Sequence, residues 1–148
     1  MKQMIPFHGR GSQQGVGMLE VMIAVLVLAI GILGIAALQS ITLKNTGSSA
    51  ARTQAAIQIY SMMDIIRADR SNIATYNTNI YTAGTGTGTP GTMQGWLDGL
   101  QTAVAPDAKG KVTCDGNTYV CSVGVQWDDS RATGGNSAPV EINITSQL

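Results

Sequence analysis

The chain has 148 residues, 44% of them hydrophobic and 12% charged, with nine cations balanced by nine carboxylates. That length holds one small domain plus an anchor segment. From residue 72 onward, Lys109, Lys111 and Arg131 face Asp98, Asp107, Asp115, Asp128, Asp129 and Glu141, a net −3 that argues against a nucleic-acid partner, whose phosphates need the opposite sign.

The N-terminal piece carries Lys2, Arg10 and His8 and no acid before Gly15. Residues 21–38 then read VMIAVLVLAIGILGIAAL, 18 residues without a charge or a proline. As a helix this run spans about 27 Å, close to the hydrocarbon thickness of a bilayer. A small domain has too little surface to cover such a run on all sides, so a membrane span is expected rather than a core helix. The leading cations keep that end cytoplasmic, which sends the C-terminal part to the periplasm or the exterior; Lys44 and Arg52 beyond the span weaken the asymmetry. No small-residue cleavage site follows the run, so it is not an ordinary secretory signal and stays on the protein. One residue interrupts the apolar pattern. Glu20 stands in MLEVMIAV near the start of the span, and an acid at the bilayer centre costs on the order of 2.5–3.5 kcal/mol, less near an interface.

The stretch QGVGMLEV at residues 14–21 resembles the type IV prepilin processing site. In that family a glycine ends a short basic leader and a glutamate is the fifth residue of the mature chain. Gly15 and Glu20 have that spacing, whereas the rival Gly17 would make Glu20 only the third residue. The longer run GVGMLEVMIAVLVLAIGILGIAALQ looks like a minor pilin of the type IV pilus; this close resemblance covers about 30 residues. The span lacks the proline of many major pilins, and the mature chain would begin with Val16 rather than Phe. Both departures favour a minor subunit.

The resemblance implies a set of roles. A membrane prepilin peptidase would cut between Gly15 and Val16 and methylate the new amine of Val16. Glu20 would pair with the N-terminal ammonium of a neighbouring subunit. The partners would be that peptidase, the inner membrane, other minor pilins and the major pilin. The chain would wait as a single-pass inner-membrane protein and then enter the fibre or its tip, priming pilus assembly. A pseudopilin of a type II secretion system shares the same processing site and helix and is the alternative. An adhesive subunit binding protein or sugar is a further class.

The helical pattern runs past the membrane. No proline occurs from Gln39 to about Arg70, and Ala55, Ile59, Met62 and Ile66 recur at helical spacing with Met63 beside them. This stripe predicts a spine packed on a sheet, and Asp64 with Arg67 an i, i+3 surface pair. A helix from Val16 to Arg70 would be about 80 Å long. Gly31 and Gly34 are places for close helix contact or for loosening, and the region around Gly47 is a second weak spot. The segments expected are therefore a leader over 1–15, a membrane or fibre-core helix over 16–43, its amphipathic continuation over 44–72, and a C-terminal domain over 73–148.

Residues 72–92 read as a surface loop. Its GTGTGTPG run formally fits GxGxxG at Gly86, Gly88 and Gly91, but no buried strand precedes it and Pro90 intrudes, so nucleotide binding is not expected. A short helix is predicted over 93–105, with Trp96 anchoring it, ended by Pro106. Strands follow over 111–114, 118–127 and 140–145, the first two joined by a turn at Asp115, Gly116 and Asn117. The fold class is α+β, a pilin-like long N-terminal helix packed on a small antiparallel sheet. Cys114 and Cys121 would face each other across the hairpin, and in an exported domain a disulfide is expected, stabilising by roughly 2–3 kcal/mol on chain-entropy grounds.

No metal site or cofactor is expected: His8 falls in the leader and two cysteines make half a zinc site. No Ser or Cys has a recognisable activating partner, so neither catalytic residues nor a small-molecule substrate is expected. Asp128 and Asp129 read as a solvated turn. Asn143 with Thr145 forms a glycosylation sequon, discounted because it lies in a strand of a bacterial-type protein. N-terminal sequencing of the protein from membranes of cells with an active prepilin peptidase should begin at Val16; a chain still beginning at Met1 would contradict the processing reading.

Overall fold

The computed structural model describes Gly15, residues 17–132 and residues 138–148. The expected leader (1–14), Val16 with its cleavage and methylation, and part of the loop before the last strand lie outside the described residues. Contacts divide the chain into two units, Met1–Gln39 and Ser40–Leu148, each taken here by itself.

The first unit holds the start of helix α1, which runs Met18–Ala68 and carries Glu20 in its first turn. Its most apolar 18-residue window has a mean hydropathy of 3.0 and none of it is buried, so α1 is long and apolar enough to cross a membrane. Leu19 is 72% exposed, Met22 71% and Leu33 70%. Helical backbone continues through Gly31, Gly34 and Gly47 without a break, and among the described residues no atom beyond the adjoining helix backbone lies within 4 Å of a Cβ placed on any of them.

The second unit is built on the rest of α1. Its buried residues are Ala55, Ile59, Met62, Met63 and Ile66, the stripe that the 3.6-residue period marks out. They join a core with Val112, Val123, Val125 and Trp127 of a three-stranded antiparallel sheet. The strands are β1 (Lys109–Cys114), β2 (Val120–Trp127) and β3 (Val140–Gln147), in that spatial order. In β2, Cys121, Val123, Val125 and Trp127 are buried toward the core, and Gly124 between them is buried on the opposite face against Tyr81. Fully burying each aliphatic side chain of this size contributes about 1.5–3 kcal/mol.

Helix α2 (Met93–Ala103) completes the layer, with Trp96, Leu97 and Leu100 buried. Thr92 caps it, its hydroxyl accepting from the Gly95 N–H at 3.1 Å. Trp96 is the expected anchor. Its indole N–H donates to the Gln58 carbonyl of α1 at 2.8 Å, and its ring lies over Gly110 of β1. A Cβ at Gly110 would sit 2.3 Å from that ring and 2.8 Å from Leu97, so the absence of a side chain there lets α2 reach the sheet.

Several boundaries differ from expectation. α1 ends at Ala68 because Asp69 leaves helical geometry, and a 3-10 turn over Arg70–Tyr76 takes the first part of the expected loop. The Tyr76 hydroxyl donates to the Asp69 carboxylate at 3.1 Å and closes that turn. β1 begins two residues earlier than predicted, since Lys109 still pairs with Gln126. β2 begins two residues later: the hairpin turn extends through Tyr119, whose φ of 56° ends the strand backbone. The Arg70 guanidinium lies 4.3 Å from the Tyr119 ring centroid and holds it in place. β3 continues to Gln147, paired with Val120. Cys114 and Cys121 are register partners and form the disulfide, with Cα atoms 4.1 Å apart.

The outer edge of β1 is sealed by the chain that follows the 3-10 turn. Thr82 exchanges two backbone hydrogen bonds with Gly110, each 2.9 Å. Thr78 donates from its N–H to the Val112 carbonyl and accepts the Val112 N–H at its hydroxyl. The Asn77 side chain does the same for Cys114, accepting its N–H and donating to its carbonyl. Gly110→Ala should destabilise the protein by about 1–3 kcal/mol through overpacking against Trp96, while Gly116→Ala, with its nearest neighbour 4.0 Å away, should be close to neutral; urea unfolding in detergent would separate them.

Candidate functional site

The residue that sequence places at the centre of function is Glu20. It lies in the first turn of α1, where its backbone N–H donates to the Gly17 carbonyl at 2.9 Å and its side chain is exposed. A carboxylate in a first turn is favoured by the helix dipole. The neighbours three and four residues on are Ile23 and Ala24, neither of which can pair with a charge. From Gly17 to Leu43 no other ionisable side chain occurs, and the ion pairs among the described residues are Arg52–Asp129 and Arg67–Asp64. Among the described residues Glu20 therefore has no cation within its own unit and forms no ion pair. A lone negative charge at the start of an apolar helix can do one thing well: it can select a neighbour that brings a positive charge to the same depth.

The GxGxxG run turns out to be occupied. The Gly86 and Gly88 N–H groups donate to the two carboxylate oxygens of Asp98 on α2, at 2.8 Å and 2.6 Å. The Gln94 side chain adds a third donor at 3.3 Å. The amides that would cradle a phosphate are thus spent on a carboxylate of this chain, and the loop is tied to α2 instead of being left free. The Gly86 and Gly88 amides hold the Asp98 pKa below the usual carboxylate range. Sequence reading missed Asp98; its signal was a solitary acid on a short helix just after a glycine-rich run.

Asp129 departs from the expected solvated turn. Its carboxylate is 3.1 Å from the Arg52 guanidinium and also accepts the Ser48 hydroxyl, so it ties the loop after β2 to α1. Asp128 keeps the turn role: it accepts the Ser130 N–H at 2.8 Å, and that bond lowers its pKa. Asp64 and Arg67 form the expected surface pair at 2.6 Å. On the outer face of the sheet the Tyr81 hydroxyl is buried above Gly124, near Asn143 and Glu141, without a well-formed hydrogen bond. Burial, followed by the Glu141 carboxylate, pushes its pKa upward. Asn143 donates to Glu141 there, so the sequon's side chain is already engaged.

Among the described residues no group of three His, Cys, Asp or Glu side chains is placed to hold a metal ion. A scan of protein-family models, a search of curated proteins and a search of solved structures each return no match for the chain.

The Asp98 arrangement makes a pH-dependent prediction. A carboxylate whose folded pKa is depressed stabilises its contacts above its unfolded value near 3.9, and the contribution is lost as pH falls through the folded value. Protection of the Gly86 and Gly88 amides, measured by NMR against the intrinsic exchange rate at each pH, should hold at neutral pH and be lost as pH falls below the unfolded value and through the depressed folded one. In Asp98→Ala both amides should be unprotected at every pH.

Proposed function

We propose that this chain is a minor pilin of the type IV pilus, priming fibre assembly as part of the initiating or tip complex. The observation that carries the reading is Glu20, alone among apolar residues at the start of an uncovered helix whose continuation is the spine of a folded unit. The QGVGMLEV processing motif and the GILGIAALQ run support the same reading by resemblance.

The mechanism follows from the charges. The leader's Lys2 and Arg10 hold the N-terminus in the cytoplasm until the peptidase cuts after Gly15. Cutting removes both cations and creates an amine at Val16. That amine, methylated but still charged, is the counter-ion for Glu20 of an adjacent subunit. Their attraction in a medium of low dielectric sets the register, and the apolar surface of residues 16–43 then packs laterally against other helices. The disulfide between Cys114 and Cys121 fits a domain carried outside the cytoplasm.

Glu20→Ala should leave leader removal intact and reduce incorporation into sheared surface fibres at least about tenfold, equivalent to roughly 1.4 kcal/mol of docking free energy. Glu20→Asp should recover part of it. Deleting the gene should lower pilus number in electron micrographs while secreted-enzyme levels stay normal. Intact pili with blocked secretion would transfer the chain to the type II pseudopilins, and normal incorporation of Glu20→Ala would remove Glu20 from the mechanism.

A further inference from the structure

The disulfide lies on the inner face of the sheet. Alternation along β2 puts Cys121 on the side of Val123, Val125 and Trp127, and along β1 Cys114 shares that side with Gly110 and Val112. This is the side that packs on the helices: Gly110 meets Trp96 of α2, and Val112 and Val123 share one core with Ile59, Met62 and Ile66 of α1. Cys121 is 0% exposed and Cys114 6%. Every residue between them, from Asp115 to Val120, is exposed. The turn is open to solvent while the bond that closes it is not.

The backbone around the pair is held on several sides. The Asn77 side chain takes both the N–H and the C=O of Cys114. The Asp115 N–H donates to the Val120 carbonyl and the Tyr119 N–H to the Asp115 carbonyl, each at 2.9 Å. Leu148, itself buried, donates its N–H to the Tyr119 carbonyl. Ile73 of the 3-10 turn joins the same core and reaches to 4.0 Å from a Cβ placed on Gly116.

Thiol–disulfide exchange requires an attacking thiolate to reach one sulfur of the bond. In the closed core no external thiolate reaches Cys121, and Cys114 is nearly as inaccessible. Oxidation of the dithiol by an external disulfide passes through the same mixed disulfide, so it meets the same obstacle.

We propose that the redox state of Cys114 and Cys121 is set before the sheet closes on α1 and is locked from then on. The oxidant is an external disulfide, small or protein-borne, acting on the unpacked hairpin. One cysteine thiolate attacks it, forming a mixed disulfide and releasing one external thiolate. The second cysteine thiolate then displaces the other. One disulfide is made and one is lost: two electrons pass from the cysteine pair to the external sulfurs, and the two cysteine protons end on the released thiols. A separation of seven residues lets the hairpin bring the pair together without the helix. A reductant met after closure finds the bond sealed, so the domain keeps its crosslink in reducing surroundings.

The test uses the oxidised full-length chain in detergent micelles. Dithiothreitol is added, samples are quenched with acid, and thiols are alkylated in urea and counted by intact mass. Without urea, reduction should be at least about a hundredfold slower than in unfolding urea. The rate should climb with urea below the unfolding transition, because it tracks the population of an opened state. Asn77→Ala frees the β1 end at Cys114 and should raise the native rate about threefold or more. In the opposite direction, reduced chain that has refolded should be oxidised by glutathione disulfide more slowly than unfolded chain by a comparable factor. If the reduced chain does not refold, the reduction rates alone decide. Native reduction within about tenfold of the unfolded rate, a rate flat in urea, or an unchanged rate in Asn77→Ala would each overturn the proposal. None of these readouts depends on the membrane or pilin reading.

Discussion

An apolar stripe on a helix must be taken out of water by something, and within Ser40–Leu148 the sheet does this. Ala55, Ile59, Met62, Met63 and Ile66 share one core with Val112, Val123, Val125 and Trp127 of the sheet and with Trp96, Leu97 and Leu100 of α2. Everything else in that unit is arranged around this contact. α2 closes one flank because Trp96 can lie flat over Gly110 and hand its indole N–H to Gln58. The 3-10 turn and the chain after it run along β1 and seal its edge. The disulfide joins the ends of the two strands that meet at the hairpin turn.

The same helix begins under a different constraint. Its first part leaves Leu19, Met22, Leu33 and their neighbours exposed among the described residues, a run apolar and long enough to cross a membrane and suited to lipid or to other helices. In either setting a carboxylate without a counter-ion is unfavourable, and among the described residues Glu20 forms no ion pair. The helix is therefore incomplete at its start in a particular way. On the function proposed above, it would take apolar surroundings and one positive charge from a neighbour.

The loops show how polar side chains stand in for regular structure. Asp98 gathers the glycine-rich segment, Asp129 ties the β2 end to Arg52 and Ser48, and Asn77 imitates a strand for Cys114. Each bond is modest by itself. Together they set the course of segments that have almost no apolar residues to bury.

Periodicity alone determined a good deal. The period of 3.6 marked the buried stripe of α1, the period of 2 marked β2, and the lack of any charge from Val21 to Leu43 marked a helix long enough for a bilayer. The cysteine pair was legible because it is a chemical exception in its surroundings. Tertiary structure alone decided which polar residues meet: Asp98 with Gly86 and Gly88, Asp129 with Arg52, Arg70 with Tyr119. It also decided which sheet edge is closed. Local sequence records how a segment prefers to bend and which face it hides, because those depend on neighbours a few residues away. The partners of a carboxylate or an edge amide come from residues far along the chain, and only the packed fold brings them within hydrogen-bond distance.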